Sequence, residues 1–324
     1  MIPVRFRPIL KQYVWGGEKL AAVLGKDVES LDGPNKTCAE SWEVCDHEDD
    51  QSVVDQGTLV GKTLAQLVAE QGKVLLGRHY PQTRFPLLMK FLDAAQTLSV
   101  QVHPDDEQAG RLEPPDLGKT EAWVVVQAEP GSRIYAGLKP GVDRKELAQA
   151  IELGRCEECL HQFDAKAGDC VFIPAGTVHA LGKGLLVAEI QQASDTTYRL
   201  FDWNRLGSDG KPRPLHIEKG LDAINYEQGP VMPVEPTGTE RDGVSRLVQC
   251  DKFLLDAWHT ESPQAIGGDD RFHILTVLEG TAQVTSNGVS ERLKCGQTLL
   301  LPAAAGQVEV LAEDSLFALD AYLP

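Results

Sequence analysis

The sequence predicts a mainly β protein built from sandwich-like or barrel-like units, with only a few short helices. Short apolar runs alternate with Gly, Pro and Asp turns along most of the chain, helical periodicity is confined to a few segments, and one turn–strand–turn pattern occurs twice.

Taken in chain order, Glu18 to Leu24 and Thr63 to Leu76 carry helical periodicity, and Thr63 is the expected N-cap of the second. The stretch Gly57-Thr-Leu-Val-Gly-Lys-Thr63 resembles a phosphate loop, but three residues separate its glycines where the nucleotide-binding loop needs four. It therefore reads as a turn leading into the Thr63 cap. The clearest helix begins at Asp143, with Glu146 as capping-box partner, Leu147 and Ile151 on one face, and Gly154 as the stop. Strands are expected at Ala122 to Val126, Cys170 to Ile173, Leu185 to Ile190, His273 to Leu278 and Thr298 to Leu301. The Pro- and Gly-rich segment Gln228 to Thr239 reads as a linker between domains.

The repeated pattern is Ala167-Gly-Asp-Cys-Val-Phe-Ile-Pro-Ala-Gly-Thr-Val-His179, laid on Cys295-Gly-Gln-Thr-Leu-Leu-Leu-Pro-Ala-Ala-Ala-Gly-Gln307. Glycine, an apolar triplet and Pro-Ala fall in register. Each copy reads as a turn, a buried strand and a proline-led turn, which points to a duplicated barrel motif. Gln307 stands where His179 stands in the first copy, so a metal is expected in the first copy only.

At 324 residues and 42% hydrophobic content the chain can bury a substantial core in one large or two ordinary domains. Its 31 basic and 48 acidic residues give a net charge of −17, which disfavours nucleic acid and anionic membrane as partners. An anionic substrate then needs a local basic pocket, for which Lys90, Lys119 and Arg199 are candidates. No apolar run is long enough for a membrane span, and the first residues, Met-Ile-Pro-Val-Arg-Phe-Arg-Pro, lack a signal-peptide core. Seven cysteines, odd in number and scattered, read as the reduced thiols of a cytoplasmic protein. Cys156-Glu-Glu-Cys159 has no second CxxC and reads as two ordinary thiols near a helix end.

Gln101, His103, Glu121 and His179 are the candidate metal ligands. Alternation along a strand sends Gln101 and His103 to the same face. Two histidines and a glutamate form a zinc-type donor set, with a glutamine carbonyl as a less common fourth ligand. An open coordination position would admit water or a substrate hydroxyl.

At these residues the chain resembles the type I mannose-6-phosphate isomerases (phosphomannose isomerases) of the cupin superfamily. The segments that carry the resemblance are Trp15-Gly-Gly, Glu40-Ser-Trp-Glu43, Leu98-Ser-Val-Gln-Val-His-Pro-Asp-Asp106, Lys119-Thr-Glu121, Phe172-Ile-Pro-Ala-Gly-Thr-Val-His-Ala180 and Glu189-Ile-Gln-Gln-Ala-Ser-Asp-Thr-Thr-Tyr-Arg199. The resemblance implies two cupin-type (jelly-roll) β-barrels. The first is a catalytic, metal-binding barrel with helical insertions over 1–228, and the second a degenerate barrel over 229–324. It implies one Zn2+ per chain at Gln101, His103, Glu121 and His179. It places Arg199, Lys119, Asp195 and Glu189 in the catalytic cleft, with Ser99 and Lys90 as substrate contacts.

The implied activity is interconversion of mannose 6-phosphate and fructose 6-phosphate through a cis-enediol, with the C–H base left open among the site residues. Expected partners reduce to a small sugar phosphate, with no nucleic acid or membrane, in a monomer or small homo-oligomer. A non-catalytic sugar-binding or regulatory cupin is the alternative, and the intact Lys119, Asp195 and Arg199 argue against it. A metal-dependent oxygenase fits less well, because glutamine is a poor match to the histidine-rich iron sites of such enzymes.

Overall fold

Residues 2–33, 36–206 and 210–324 are described by the computed structural model, and the first residue of the N-terminal segment, Met1, lies outside them. The protein is mainly β and every ladder is antiparallel. Two sheets are built from the first two-thirds of the chain. A six-stranded sheet has the order Cys170–Ile173, Glu121–Ala128, Leu185–Gln192, Leu87–Ala94, Glu40–Val44, Ile9–Lys11. A five-stranded sheet has the order Leu160–Asp164, Arg133–Leu138, His179–Leu181, Val100–Val102, Tyr198–Phe201. The C-terminal part forms another six-stranded and a four-stranded sheet, and these share no strand with the first pair. The five expected strands all form, two of them (Cys170–Ile173 and Thr298–Leu301) with the expected ends.

The central strands are apolar on both faces because both faces are covered. Along Leu87–Ala94, the side chains of Leu87, Met89 and Phe91 join one cluster with Leu255, Ala257, Ile274, Leu319 and Ala321 of the C-terminal sheet. The alternate positions Leu92 and Ala94 instead join Trp123, Val125, Ile134, Val171 and Val187 between the two N-terminal sheets. One sheet therefore serves two cores: its outer face cements the C-terminal sheets to the N-terminal ones, and its inner face encloses the site.

Helices are few, as expected. Thr63 caps Leu64–Leu76 through a complete capping box with Gln66, so the sequence after Gly57 is a helix entry and not a phosphate loop. Replacing Thr63 with alanine is expected to cost about 1 kcal/mol of unfolding free energy, read by urea denaturation. The helix after Asp143 spans Arg144–Glu152, but only half of the expected capping box forms. The Asp143 carboxylate accepts the Glu146 N–H at 2.8 Å. A Glu146 carboxylate folded back to close the box would approach that of Asp143, and like charge disfavours it. Between Glu18 and Leu24 only the four residues Lys19–Ala22 are helical. The Gln228 to Thr239 segment runs along the N-terminal sheets through Val231 N–H to Ala136 O (3.1 Å) and Val234 N–H to Cys170 O (2.7 Å). It ends in the short strand Thr237–Gly238.

The sequence echo is structural. Gly168 (φ +88°) and Gly296 (φ +77°) make the same left-handed turn before four-residue strands, a conformation that a Cβ would strain. All seven cysteines are free, and burial pushes the Cys156 thiol up to about 12, as suits an inert core thiol. Among the described residues no helix is long and apolar enough to cross a membrane.

Candidate active site

The two N-terminal sheets face each other across a cavity of about 300 Å³. Strand pairing sets which side chains meet there. In the five-stranded sheet Gln101 lies opposite His179 on one side and Arg199 on the other. In the six-stranded sheet Glu121 pairs with Gln191, while Glu189 lies between Lys90 and Trp123. Residues directly opposite in an antiparallel pair project to the same face, so both sets point inward.

His103, Glu121 and His179 converge, with one donor atom from each lying within 4.8 Å of the others. His179 Nε2 is 3.3 Å from Glu121 Oε1 and His103 Nε2 is 3.6 Å from Glu121 Oε2. Each imidazole turns its other nitrogen to a backbone carbonyl: His103 Nδ1–H donates to Thr196 O (3.0 Å), and His179 Nδ1–H to Thr177 O (2.9 Å). Those bonds fix the tautomer in which both Nε2 atoms are unprotonated acceptors, as a metal-binding histidine requires. Burial, reinforced by Lys119, holds the His103 imidazole well below its ordinary range and that of His179 down to about 3. Both rings are therefore neutral near pH 7.

Glu121 is fully buried, and its Oε1 has no hydrogen-bond partner. A buried orphan acceptor is costly, and a divalent ion among these donors removes that cost. Burial and then the neighbouring Glu189 push the Glu121 carboxyl upward, and Lys119 offsets them only in part. These donors therefore fit a metal ion, which would hold Glu121 ionised. Gln101 Nε2 lies 3.3 Å from His179 Nε2. Turning the amide over presents its oxygen there instead, since the two ends have the same shape.

Next to the donors lies a network of buried ions. Lys119 Nζ contacts Glu121 Oε2, His103 Nε2 at 3.1 Å and Glu189 Oε1 at 3.5 Å. Lys90 bridges Glu189 (3.3 Å) and Glu40 (3.4 Å), and the Trp123 indole N–H donates to Glu189 Oε2 at 2.9 Å. Burial pushes the Glu189 carboxyl upward, but Lys90, Lys119 and Trp123 outweigh it and hold it below the usual range. Two buried carboxylates of opposite tendency thus sit side by side, Glu121 biased toward the proton and Glu189 toward ionisation. Ser99, Asp195 and Arg199 line the outer cavity, with Ser99 Oγ donating to Gln101 Oε1 at 3.4 Å and Asp195 exposed. The fold therefore brings all ten residues singled out from the sequence to one cavity or its floor.

The C-terminal sheets repeat the arrangement without the donors. Ile173 pairs with Glu121 in the first copy of the echo; in the second, Leu301 pairs with His273. Gln307, at the position of His179, is exposed. Among the described residues the only cluster of three metal-type donors is the one at His103, Glu121 and His179.

Sequence comparison agrees with this geometry. Residues 4–122 match the phosphomannose isomerase type I catalytic domain, and residues 244–318 match the mannose-6-phosphate isomerase cupin domain. The mannose-6-phosphate isomerase ManA of Bacillus subtilis is 36% identical over 309 residues, 95% of each chain. The chain belongs to the type I phosphomannose isomerase family. A mannose-6-phosphate isomerase of Streptococcus mutans is 34% identical over 97% of this chain and 98% of its own. The crystal structure of the mannose 6-phosphate isomerase from Bacillus subtilis superposes with a TM-score of 0.90 at 32% identity, covering 100% of both chains.

Two cavity residues of this phosphomannose isomerase family member, Trp123 and Glu40, and one residue behind it, Asp116, were not singled out from the sequence. Trp123 lies two residues after Glu121 on the same strand, so period-two alternation alone places its indole beside the site. Glu40 lies in a segment that carried the family resemblance, but its role as partner of Lys90 depends on a strand pairing between distant residues. Asp116 accepts hydroxyls from Ser194 (2.7 Å) and Thr196 (2.8 Å) and pairs with Arg84 (2.9 Å). It thereby pins the loop whose carbonyl orients His103. Nothing in the sequence around Asp116 signals that link.

Proposed function

We propose that this chain is a metal-dependent aldose–ketose isomerase that interconverts mannose 6-phosphate and fructose 6-phosphate. The observation that carries the reading is the convergence of His103, Glu121 and His179 on an unpartnered buried oxygen, directly beside the Lys119–Glu189 pair. Family membership makes the substrate the natural one.

Gln101, His103, Glu121 and His179 would hold one Zn2+ per chain, which would supply Lewis-acid polarisation of a sugar oxygen. The chain's own groups do the rest. Moving a proton between C2 and C1 through a cis-enediol needs a donor–acceptor couple on one face of the sugar. Lys119 and Glu189, buried 3.5 Å apart, form that couple. Arg199, a fixed cation lining the cavity, cannot itself serve as base, and its charge is offered to the anionic part of the substrate. Asp195 at the mouth accepts and returns the hydroxyl proton. Ser99 and Lys90 hold the sugar. The charge of Lys90 is already shared between Glu40 and Glu189, so a hydroxyl suits it better than the phosphate.

We further propose that residues 1–228 form the catalytic cupin-type barrel and 229–324 a degenerate one. The protein is taken to work in the cytoplasm as a monomer or small homo-oligomer without nucleic-acid partners. A non-catalytic cupin would have no use for the buried Lys119–Glu189 pair. Incubating zinc-loaded protein with mannose 6-phosphate is expected to yield fructose 6-phosphate, and a chelator to stop the reaction until zinc is restored. Folded, metal-loaded protein that makes no product would sink the reading.

A further inference from the structure

Next to the Gln101 strand, two arginines line the cavity. Asp202 is buried and accepts two hydrogen bonds from Arg213, Nε–H to Oδ2 at 2.8 Å and Nη2–H to Oδ1 at 2.6 Å. It also accepts one from Arg205 Nη2–H at 2.6 Å. Arg199 approaches from the Tyr198–Phe201 strand and donates Nη1–H to Pro214 O at 2.9 Å, with its Nε buried and unpartnered. Burial and then the charge of Arg213 push the Arg199 guanidinium below its ordinary range. Two guanidiniums thus clasp a single carboxylate, a third, Arg199, lies within electrostatic reach of them, and Arg199 and Arg213 line the cavity. A chain of net charge −17 concentrates positive charge here, against burial, beginning on the strand next to Gln101.

We propose that Arg213, held by Asp202 and acting with Arg199, binds the phosphate of the substrate. The inference rests on the isomerase reading and adds to it a residue that the sequence did not single out. A dianion beside Arg199 and Arg213 relieves their mutual repulsion and takes up the unpartnered Arg199 N–H, in the charge-assisted geometry that guanidinium offers to phosphate. The distribution of charge orients the sugar. Its C1–C2 end meets the neutral histidines, Glu121 and the Lys119–Glu189 pair, and its C6 end meets the arginines. The bidentate Arg213–Asp202 contact fixes the guanidinium plane before substrate arrives, so little rotamer freedom is lost on binding.

The test is calorimetric titration of the zinc-loaded full chain with inorganic phosphate, mannose 6-phosphate and mannose, for wild type and for Arg213→Ala. Loss of a charge-assisted hydrogen bond predicts a roughly tenfold or greater weakening for both phosphate-bearing ligands. Mannose affinity and bound zinc are expected to stay at the wild-type level. In turnover, the loss falls on KM. Arg213→Lys keeps the charge and a donor for Asp202 without the planar fork, and is expected to restore part of the phosphate affinity. It also provides the reading if the alanine variant fails to fold, in which case it must bind inorganic phosphate more weakly than wild type. Wild-type affinity for inorganic phosphate in either variant overturns the assignment, as does an equal loss for mannose. Wild-type protein that binds phosphate through Arg213 but makes no fructose 6-phosphate would reject the isomerase reading and leave the anion subsite standing.

Discussion

Replacing Glu121 with glutamine is expected to strip the protein of its metal and take isomerase turnover below detection. The substitution keeps the size and the position in the strand, where residue 121 pairs with Ile173 and Gln191. It removes the one anionic donor of the set. His103 and His179 are neutral and Lys119 stands among them, so without Glu121 a divalent ion would meet no anionic ligand and would lie close to an ammonium. Loss of a group that merely orients a ligand lowers metal affinity roughly 10- to 100-fold, so loss of the charged ligand itself should cost more than about 100-fold. Lys119 would also lose its nearest carboxylate in a buried site and turn wholly to Glu189, disturbing the proton-transferring couple as well. Metal content after dialysis, measured by atomic absorption, should fall from one ion per chain to near none, with product formation lost in parallel. A variant that keeps stoichiometric zinc would remove Glu121 from the ligand set.

The positions in this prediction were legible in the sequence for a physical reason. Gln101 lies on the strand Val100–Val102 and His103 one residue past its end, Glu121 opens another, and His179 follows a turn bounded by proline and glycine, so local pattern and turn chemistry bring out these positions. The strands Cys170–Ile173 and Thr298–Leu301 were legible with their ends because Gly168 and Pro174, or Gly296 and Pro302, punctuate them. Long-range pairing is what local pattern does not carry. That Leu87, Met89 and Phe91 face the C-terminal sheets while Leu92 and Ala94 face the site depends on which sheets stack. The continuous apolar run predicts burial on both faces without naming either neighbour. Arg213 lies in an irregular segment with no periodicity, and its link to Asp202 and Arg199 exists only once Pro214 and His216 are laid along the Tyr198–Phe201 strand.

Stability is expected to fall by about 3 kcal/mol as pH rises from about 6.5 to 9, because of one histidine in the C-terminal sheets. His273 is buried, with Nδ1 2.8 Å from Asp320 Oδ1 and Nε2 3.2 Å from Asp269 Oδ1. Burial alone would lower its basicity; Asp320 and Asp269 overcome that and raise the imidazolium from 6.5 to about 9. A group whose pKa is raised on folding binds its proton more tightly in the native state, so its contribution is complete below 6.5 and is lost as pH climbs through 9. The slope in that window is about 1.4 kcal/mol per pH unit. His47, raised by Asp116, adds a loss of the same sign, so the histidine is isolated by comparing wild type with His273→Gln in urea at pH 7 and pH 9.5. The variant should begin a few kcal/mol less stable, since buried Asp320 loses its hydrogen-bonded cation and keeps only Arg241 at 3.9 Å, and should lose much less between the two pH values. Parallel curves would acquit His273. Strand register explains why this residue carries so much. Leu301 pairs with His273 as Ile173 pairs with Glu121, and Asp320 pairs with Leu275 and Asp256 as Glu189 pairs with Trp123 and Lys90. The same inward positions are polar in both copies. In the first they converge on donors that fit a metal. In the second an imidazolium lies between Asp269 and Asp320, and raising the pH removes its charge.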